Sequence, residues 1–213
     1  MSDCSEQKWS IFDLDRTLVR KNASFCFYFF LLKKRLLPLS SVAKAIPLFF
    51  RYKRGRLNLK HLHEAVFSLV LKGRSLSLFA NAVPLFLGPF LDAFLYRPVL
   101  NRFFEAKQKG HRTFLLSSSP DFLVSAIAQR LGFDVWRGTE YSIDNEGKLC
   151  QILSLIEGVQ KLQLAKNMMA KNAVAYSDSE DDLPLLEWAE KAVIVQPTVR
   201  LKRLAEQRNW EVL

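Results

Sequence analysis

Cysteine is scarce in this 213-residue chain, and the three present, Cys4, Cys26 and Cys150, are an odd number with no CxxC pair. That excludes a disulfide framework and a cysteine-based zinc motif, and it fits a reducing cytoplasm. Long apolar runs are missing as well. The densest, Ala23 to Leu32, stops at Lys33-Lys34-Arg35 and falls short of the ~18 residues expected of a membrane-spanning helix. Met1 to Trp9 is polar and lacks the apolar centre of a signal peptide. There is no internal repeat and no low-complexity tract. Acids are nearly absent from one stretch: residues 20–112 hold Glu64, Asp92 and Glu105 against 18 lysines and arginines. The rest of the chain holds 13 basic and 18 acidic residues, so a +15 segment sits within a remainder at −5. Such a split points to two functional surfaces rather than a uniformly basic protein.

What is present is enough for a real core. Apolar residues make up 49% of the chain and charged ones 24%, which suits one domain, or one domain with an insertion. Lys8 to Leu14, Arg112 to Leu116, Ala173 to Tyr176 and Ala192 to Val195 are short apolar runs with polar exits. They predict parallel strands buried on both faces. Helical spacing covers Asp121 to Leu131, with a Gly132 stop, then Val159 to Met169, Leu183 to Ala189 and Val199 to Gln207. Asp144-Asn145-Glu146-Gly147 predicts a hairpin turn within Thr139 to Cys150. The alternation gives an α/β class: a doubly wound, mostly parallel sheet. Residues 20–108 lack strand rhythm, and prolines at 38, 47, 84, 89 and 98 punctuate Phe- and Leu-rich stretches and basic clusters. They predict an inserted α-helical cap, with 1–19 and 109–213 forming the core.

Chemistry concentrates at the strand exits. Asp13 and Asp15 lie two apart at the end of the first strand, so their carboxylates share a side. One can attack while the other moves protons, and both can help hold a hard cation through oxygen. A solvated turn explains such a pair equally well when it stands alone. Ser117 ends the second strand, where Ser118 or Ser119 can cap the next helix. A hydroxyl and free N–H groups there also suit a phosphate. Lys161, on a predicted helix after Gly158, reads alone as a solvated lysine. Asp178, Glu180, Asp181 and Asp182 are four acids in five residues, more than a helix start needs, and they repel one another unless a cation offsets them.

Taken together, FDLDRTL (12–18), LLSSSP (115–120), GVQK (158–161) and YSDSEDDLPLL (176–186) resemble the motifs of the haloacid-dehalogenase-like phosphatase superfamily. The helical insertion after the first motif, and the ending VQPTVRLKRLAEQRNWEVL, are similar to its phosphoserine-phosphatase-like branch. The resemblance implies that Asp13 is a nucleophile forming an aspartyl phosphate and that Asp15 is the general acid and base. It implies Mg²⁺ held by Asp13, Asp178 and the backbone carbonyl of Asp15, with Ser117 and Lys161 binding phosphoryl oxygens. Asp182 would orient Lys161 or a metal-bound water, while Asp181 stands where relatives often have Asn. Arg16 stands where many relatives have Gly. The Glu that reads the amine in phosphoserine phosphatases has no counterpart in Arg20 to Ser24, whose two cations would repel an ammonium.

The expectation is therefore a Mg²⁺-dependent phosphomonoesterase of the cytoplasm with a small anionic phosphorylated substrate other than phosphoserine. Two alternatives stay open. FYFFLLKKRLLPL (27–39) is similar to branch members acting on phosphatidylglycerophosphate, which would place the protein at the surface of an anionic membrane. The basic segment also permits a non-enzymatic nucleic-acid-binding module, although no nucleic-acid motif accompanies it.

Overall fold

The computed structural model describes residues 7–168 and 172–213, so Cys4 and the predicted helix end at Met169 lie outside the described residues. β1 (Trp9–Asp13) is buried along its whole length. It lies between β2 (Arg112–Pro120) and β5 (Ala173–Ser177), parallel to both. Beyond β2 come β3 (Val135–Ile143) and β4 (Leu149–Ser154). Beyond β5 come β6 (Lys191–Ile194) and β7 (Glu211–Val212). The order is β4-β3-β2-β1-β5-β6-β7, with β3–β4 the antiparallel pair. The chain runs outward in one direction through β2 and in the other through β5. The crevice where an open α/β sheet binds ligands therefore falls at the C-terminal ends of β1, β2 and β5.

The period-2 pattern of β1 divides the interior into two cores. Trp9 and Ile11 point to one face, with Phe114, Leu116, Leu185 and Leu201. Phe12 points to the other and stacks on Tyr176 at 4.4 Å between ring centroids. The helices α6 (Asp121–Leu131), α7 (Gly158–Asn167), α8 (Leu183–Trp188) and α9 (Val199–Gln207) fall close to the expected spans. Gly132 ends α6 at φ 83, a left-handed conformation that favours glycine. Gly147 closes the predicted hairpin turn at φ 75, while Asp144 Oδ1 accepts from the N–H groups of Glu146 and Lys148.

Residues between β1 and β2 are helical: α1 (Ala23–Lys33), α2 (Leu39–Lys53), α3 (Leu59–Val66), a π-helical turn at Phe67–Leu71, α4 (Leu76–Phe94) and α5 (Arg97–Gln108). The prolines punctuate less than expected. Pro47 lies inside α2, and Pro84 and Pro89 lie inside α4, where the packed face of the helix overrides the lost hydrogen bonds. α4 is also longer than the apolar run expected to be densest. Its 19 residues would suffice to cross a membrane by length and composition alone. Its Phe79 and Phe86 are buried, stacking on Phe122 of α6 and packing against Phe27 of α1. One apolar cluster thus runs from the sheet into the insertion.

One boundary differs from the sequence expectation. β2 runs on through the serines to Pro120, with an irregularity between Leu116 and Pro120, instead of stopping at Leu116. At the other end of the insertion, α5 packs on the sheet, where its Phe103 meets Phe12 at 5.9 Å and Phe133 at 4.4 Å. Because Phe103 is 1% exposed, Phe103→Ala should lower the unfolding free energy by ~3–5 kcal/mol, the cost of an unfilled aromatic site. Denaturant unfolding checks this, and a loss below ~1 kcal/mol would contradict the placement of α5 in the sheet core.

Candidate active site

Asp13 ends β1, and Asp15 follows in the tight turn that leaves it, where Leu18 and Val19 N–H groups donate to Leu14 O. Arg16 adopts φ 62 within this turn. A left-handed residue other than glycine costs about 1–2 kcal/mol, which gives the Gly of many relatives a physical reason. Here the strained residue is held by its guanidinium, whose Nε lies 3.1 Å from Asp178 Oδ2. Thr17 Oγ1 donates to the other oxygen of Asp178 at 3.4 Å.

Lys161 enters from α7 and is 5% exposed. Its Nζ donates to Asp13 Oδ1 at 2.6 Å and to Asp182 Oδ2 at 2.8 Å. Ser177, at the end of β5, donates to the same Asp182 oxygen at 2.6 Å. The approach of α7 requires Gly158, since a Cβ there would lie 1.9 Å from the backbone oxygen of Asp181. The fold thus brings Asp13, Lys161 and Asp182 into direct contact, with Asp178 beside them.

The serines divide their work differently from the expected cap. α6 begins at Asp121 with Pro120 before it and no side-chain cap, because Ser118 and Ser119 still belong to the strand. Ser119 Oγ donates to Asp15 Oδ2 at 2.7 Å and shares a 2.6 Å hydrogen bond with Ser24 Oγ of α1. Ser117 Oγ accepts from Ser119 N–H at 3.0 Å and lies 3.5 Å from Asp15 Oδ2. The N–H of Ala23, the first residue of α1, donates to Asp15 Oδ1. Asp15 is therefore held between the start of the insertion and the end of β2.

Charge in this crevice is unbalanced. Asp13, Asp178 and Asp182 are buried, Asp15 is half-buried, and Lys161 is the buried ammonium among them. Burial raises the Asp13 pKa to about 8. Lys161 opposes that rise, while Asp182, Asp178 and Asp15 add to it. Asp178 is raised to about 6, by burial first, against the pull of Arg16. Asp15 is raised by burial, against hydrogen bonds from Ala23 and Ser119. Burial alone would lower Lys161, but the Asp13 and Asp182 carboxylates outweigh it and hold the ammonium charged.

Among the described residues, no group of three or more His, Cys, Asp or Glu side chains assembles as a metal site. The expected Mg²⁺ set needs fewer, since it takes two carboxylates, Asp13 and Asp178, and the Asp15 main-chain carbonyl. An all-oxygen set with excess negative charge fits a hard divalent cation.

The profile of the haloacid dehalogenase-like hydrolase family matches residues 11–187. The chain belongs to this family. It is 32% identical over 110 residues to "Phosphoserine phosphatase SerB1" of Mycobacterium tuberculosis, a stretch covering 48% of this chain and 36% of that protein. The chain thus spans about a third of that relative's length. It is 24% identical over 222 residues to the "Histidinol-phosphatase" of Neisseria meningitidis, covering 96% of this chain and 97% of that one. In fold it is similar to a Bordetella pertussis protein of unknown function, with TM-score 0.84, 22% identity, and coverage of 97% and 98%. It is also similar to a phosphoserine phosphatase captured as a "Phospho-Aspartyl Intermediate Analogue", with TM-score 0.66, 16% identity, and coverage of 98% and 93%.

Several residues of this hydrolase's site carry no catalytic role in the sequence analysis: Thr17, Ser24, Ser119, Ser177 and Tyr52. Capping accounts for one of the three serines and leaves two over, without distinguishing Ser119 from Ser118. Tyr52 gave no signal. It comes from the end of α2, and its OH lies 3.4 Å from Asp181 Oδ2. The raised Asp13 pKa has a thermodynamic consequence. A carboxyl whose folded pKa exceeds its unfolded value adds stability below the unfolded value, and that contribution is lost as pH rises through the folded one. For Asp13 the window runs from its ordinary 3.8 to about 8. Without divalent cations, the Tm of Asp13→Asn relative to the unmodified hydrolase should therefore climb between pH 5 and pH 8, and Mg²⁺ should shrink the difference at pH 8. Calorimetry across that range checks it. A pH-independent difference would contradict the electrostatic picture of the crevice.

Proposed function

We propose that this protein is a Mg²⁺-dependent phosphatase that hydrolyses a small phosphomonoester through an aspartyl phosphate on Asp13. The observation that carries this reading is the buried Asp13 carboxylate at the C-terminal end of β1, with the Lys161 ammonium 2.6 Å away. The phosphatase names of relatives on the same fold support it.

An Asp13 oxygen attacks phosphorus in line with the ester oxygen, and the ester P–O bond breaks as the new P–O bond forms. Asp15, its pKa raised by burial, gives its proton to the departing alkoxide. In the second half, Asp15 takes a proton from water, and the water oxygen bonds to phosphorus. The bond to Asp13 then breaks, releasing inorganic phosphate and restoring the Asp13 carboxylate and the protonated Asp15. Ser119 and the Ala23 N–H hold Asp15 for both transfers. Lys161 and Ser117 are placed to bind the transferring phosphoryl oxygens, with Asp182 and Ser177 fixing the ammonium. Asp13, Asp178 and the Asp15 carbonyl would hold Mg²⁺, which neutralises phosphoryl charge when bound. That balance also favours the ionised Asp13 needed for attack.

The substrate class is a small anionic phosphorylated compound, in a cytoplasmic setting. The exposed Arg20 and Lys21 precede α1 where a phosphoserine reader would carry an acid. A histidinol-phosphate-like substrate is the second reading, favoured by the end-to-end match with the Neisseria protein and opposed by the ammonium it shares with phosphoserine. A panel of sugar phosphates, glycerol phosphate, histidinol phosphate, phosphoserine and phosphatidylglycerophosphate, assayed by phosphate release, separates these readings. Asp13→Asn should lower kcat by at least ~10³-fold on whichever compound is turned over, since the amide cannot attack. EDTA should abolish turnover, and Mg²⁺ should restore it. Near-normal turnover by a deamidation-free Asn variant would overturn the nucleophile assignment, and full activity in EDTA would overturn the metal.

A further inference from the structure

α2 differs from the other helices of the insertion in having no buried residue among its described side chains. Ala45, Leu48, Phe49 and Tyr52 are half-buried on the side that meets the rest of the molecule, with Phe49 stacked on Phe25 of α1. On the other side, Leu39, Ala43, Ile46 and Phe50 recur at i, i+4, i+7 and i+11, so they form a single stripe. All four are exposed: Leu39 is 74% accessible, Ile46 45% and Phe50 52%. Phe25 and Phe29 of α1 and Leu36 in the turn between the helices are exposed as well. Lys44 and Arg51, one heptad apart, flank the stripe, Lys33 ends α1, and Lys34 and Arg35 occupy the turn, all of them exposed.

We propose that this face of α1 and α2 docks on an anionic lipid surface, with Leu39, Ile46 and Phe50 entering the interface and the flanking cations meeting headgroups. The commitment to lipid rests on charge. Residues 20–63 contain 11 lysines and arginines and no acid at all. A second copy of the chain would set this face against itself, with like charges opposed, so self-association is disfavoured. A nucleic acid would meet the cations but leave the aliphatic stripe uncovered. An anionic bilayer satisfies both halves, since its interface accepts Ile and Phe while its surface potential attracts basic residues. The lipid here is a docking surface and need not be the substrate, so the inference stands apart from the proposed reaction. One connection does follow. Tyr52 on the opposite side of α2 reaches Asp181 at the crevice, so the docking helix also contacts the edge of the site.

The test is sedimentation of the full chain with phosphatidylcholine vesicles, with and without phosphatidylserine. Binding should require phosphatidylserine and weaken with salt. Ile46→Ser with Phe50→Ser should raise Kd about tenfold, from the apolar area withdrawn from the interface. Lys44→Gln with Arg51→Gln should raise it about 25-fold, at roughly fivefold per charge. Because all four positions are exposed, circular dichroism melting should leave both variants at the parent Tm. Equal binding to neutral and anionic vesicles would overturn the proposal. So would undiminished binding by the serine variant, which would leave charge adsorption alone. Dimerisation lost in the serine variant without any vesicle binding would also overturn it, as would preferential capture of a single-stranded oligonucleotide.

Discussion

Lys161 is the residue on which the arrangement turns. A buried ammonium would be untenable without partners, and Asp13 and Asp182 would each be untenable without it. The three come from sequence positions 148 and 21 residues apart, yet both contacts are under 3 Å. Meeting that condition dictates much of the local structure. β1 and β5 must be neighbours so that Asp13 and Asp182 flank one point. α7 must approach the loop after β5 so closely that position 158 tolerates no side chain. Ser177 must reach back to Asp182 to satisfy the oxygen that Lys161 shares. Removing one member of a buried ion pair costs about 3–5 kcal/mol, because the partner is left as an uncompensated buried charge. Each member of the triad therefore depends on the others, and the desolvation of three buried charges is offset only through their mutual contacts.

The core was legible in the sequence because its signals are local. Strands buried on both faces read as short apolar runs with polar exits. The spans of α6 and α9 follow from spacing and, for α6, from a Gly stop. The site residues at the strand ends were legible for the same reason: each strand exit delivers its polar residue to one edge. What escaped is what depends on partners distant in the chain. Nothing within LLSSSP distinguishes Ser119 from Ser118 until Asp15 and Ser24 are in place around it. The length of β2 depended on β3, which pairs with Pro120 through Thr139 after an irregular stretch. β7 is two residues long and exists as a strand by pairing with β6. The assignment of α5 to the sheet rests on Phe103 meeting Phe12 and Phe133, contacts that helical periodicity alone could not foresee. The interior prolines of α4 misled for a related reason, since tertiary packing overrode local preference.

The insertion is not one body hung above the sheet. α1 and α4 share a continuous apolar cluster with the sheet face and α6, so they are as much a part of the core as the strands are. Main-chain hydrogen bonds from Gly73 to Leu149, from Leu149 to Arg74 and from Leu76 to Gly147 tie the segment before α4 to the hairpin of β3 and β4. Movement of the whole insertion would break these contacts together. α2 touches this network at its edge, where Ala45 packs against the cluster. It meets the rest of the molecule through half-buried side chains, Phe49 and Tyr52 among them, and so has the least burial to oppose its displacement. Tyr52 is where that element touches the acidic crevice.

A division of labour follows from where charge and packing lie. Asp13, Asp15, Lys161, Asp178 and Asp182 occupy elements fixed by the sheet and its two cores, which suits chemistry that tolerates little displacement of reacting groups. The exposed cations Lys34, Arg35, Lys44, Arg51 and Arg54 lie on the least buried helix and its flanking turns, where packing places few demands on the sequence. Arg16 marks the boundary between the two regimes. Its guanidinium reaches Asp178 from a largely exposed position, and its backbone accepts a left-handed turn to do so. A glycine there would relieve that turn but leave the Asp178 carboxylate with the hydrogen bond from Thr17 and without its guanidinium. The strain at Arg16 is therefore the cost of holding the Asp178 carboxylate in place from the solvent side.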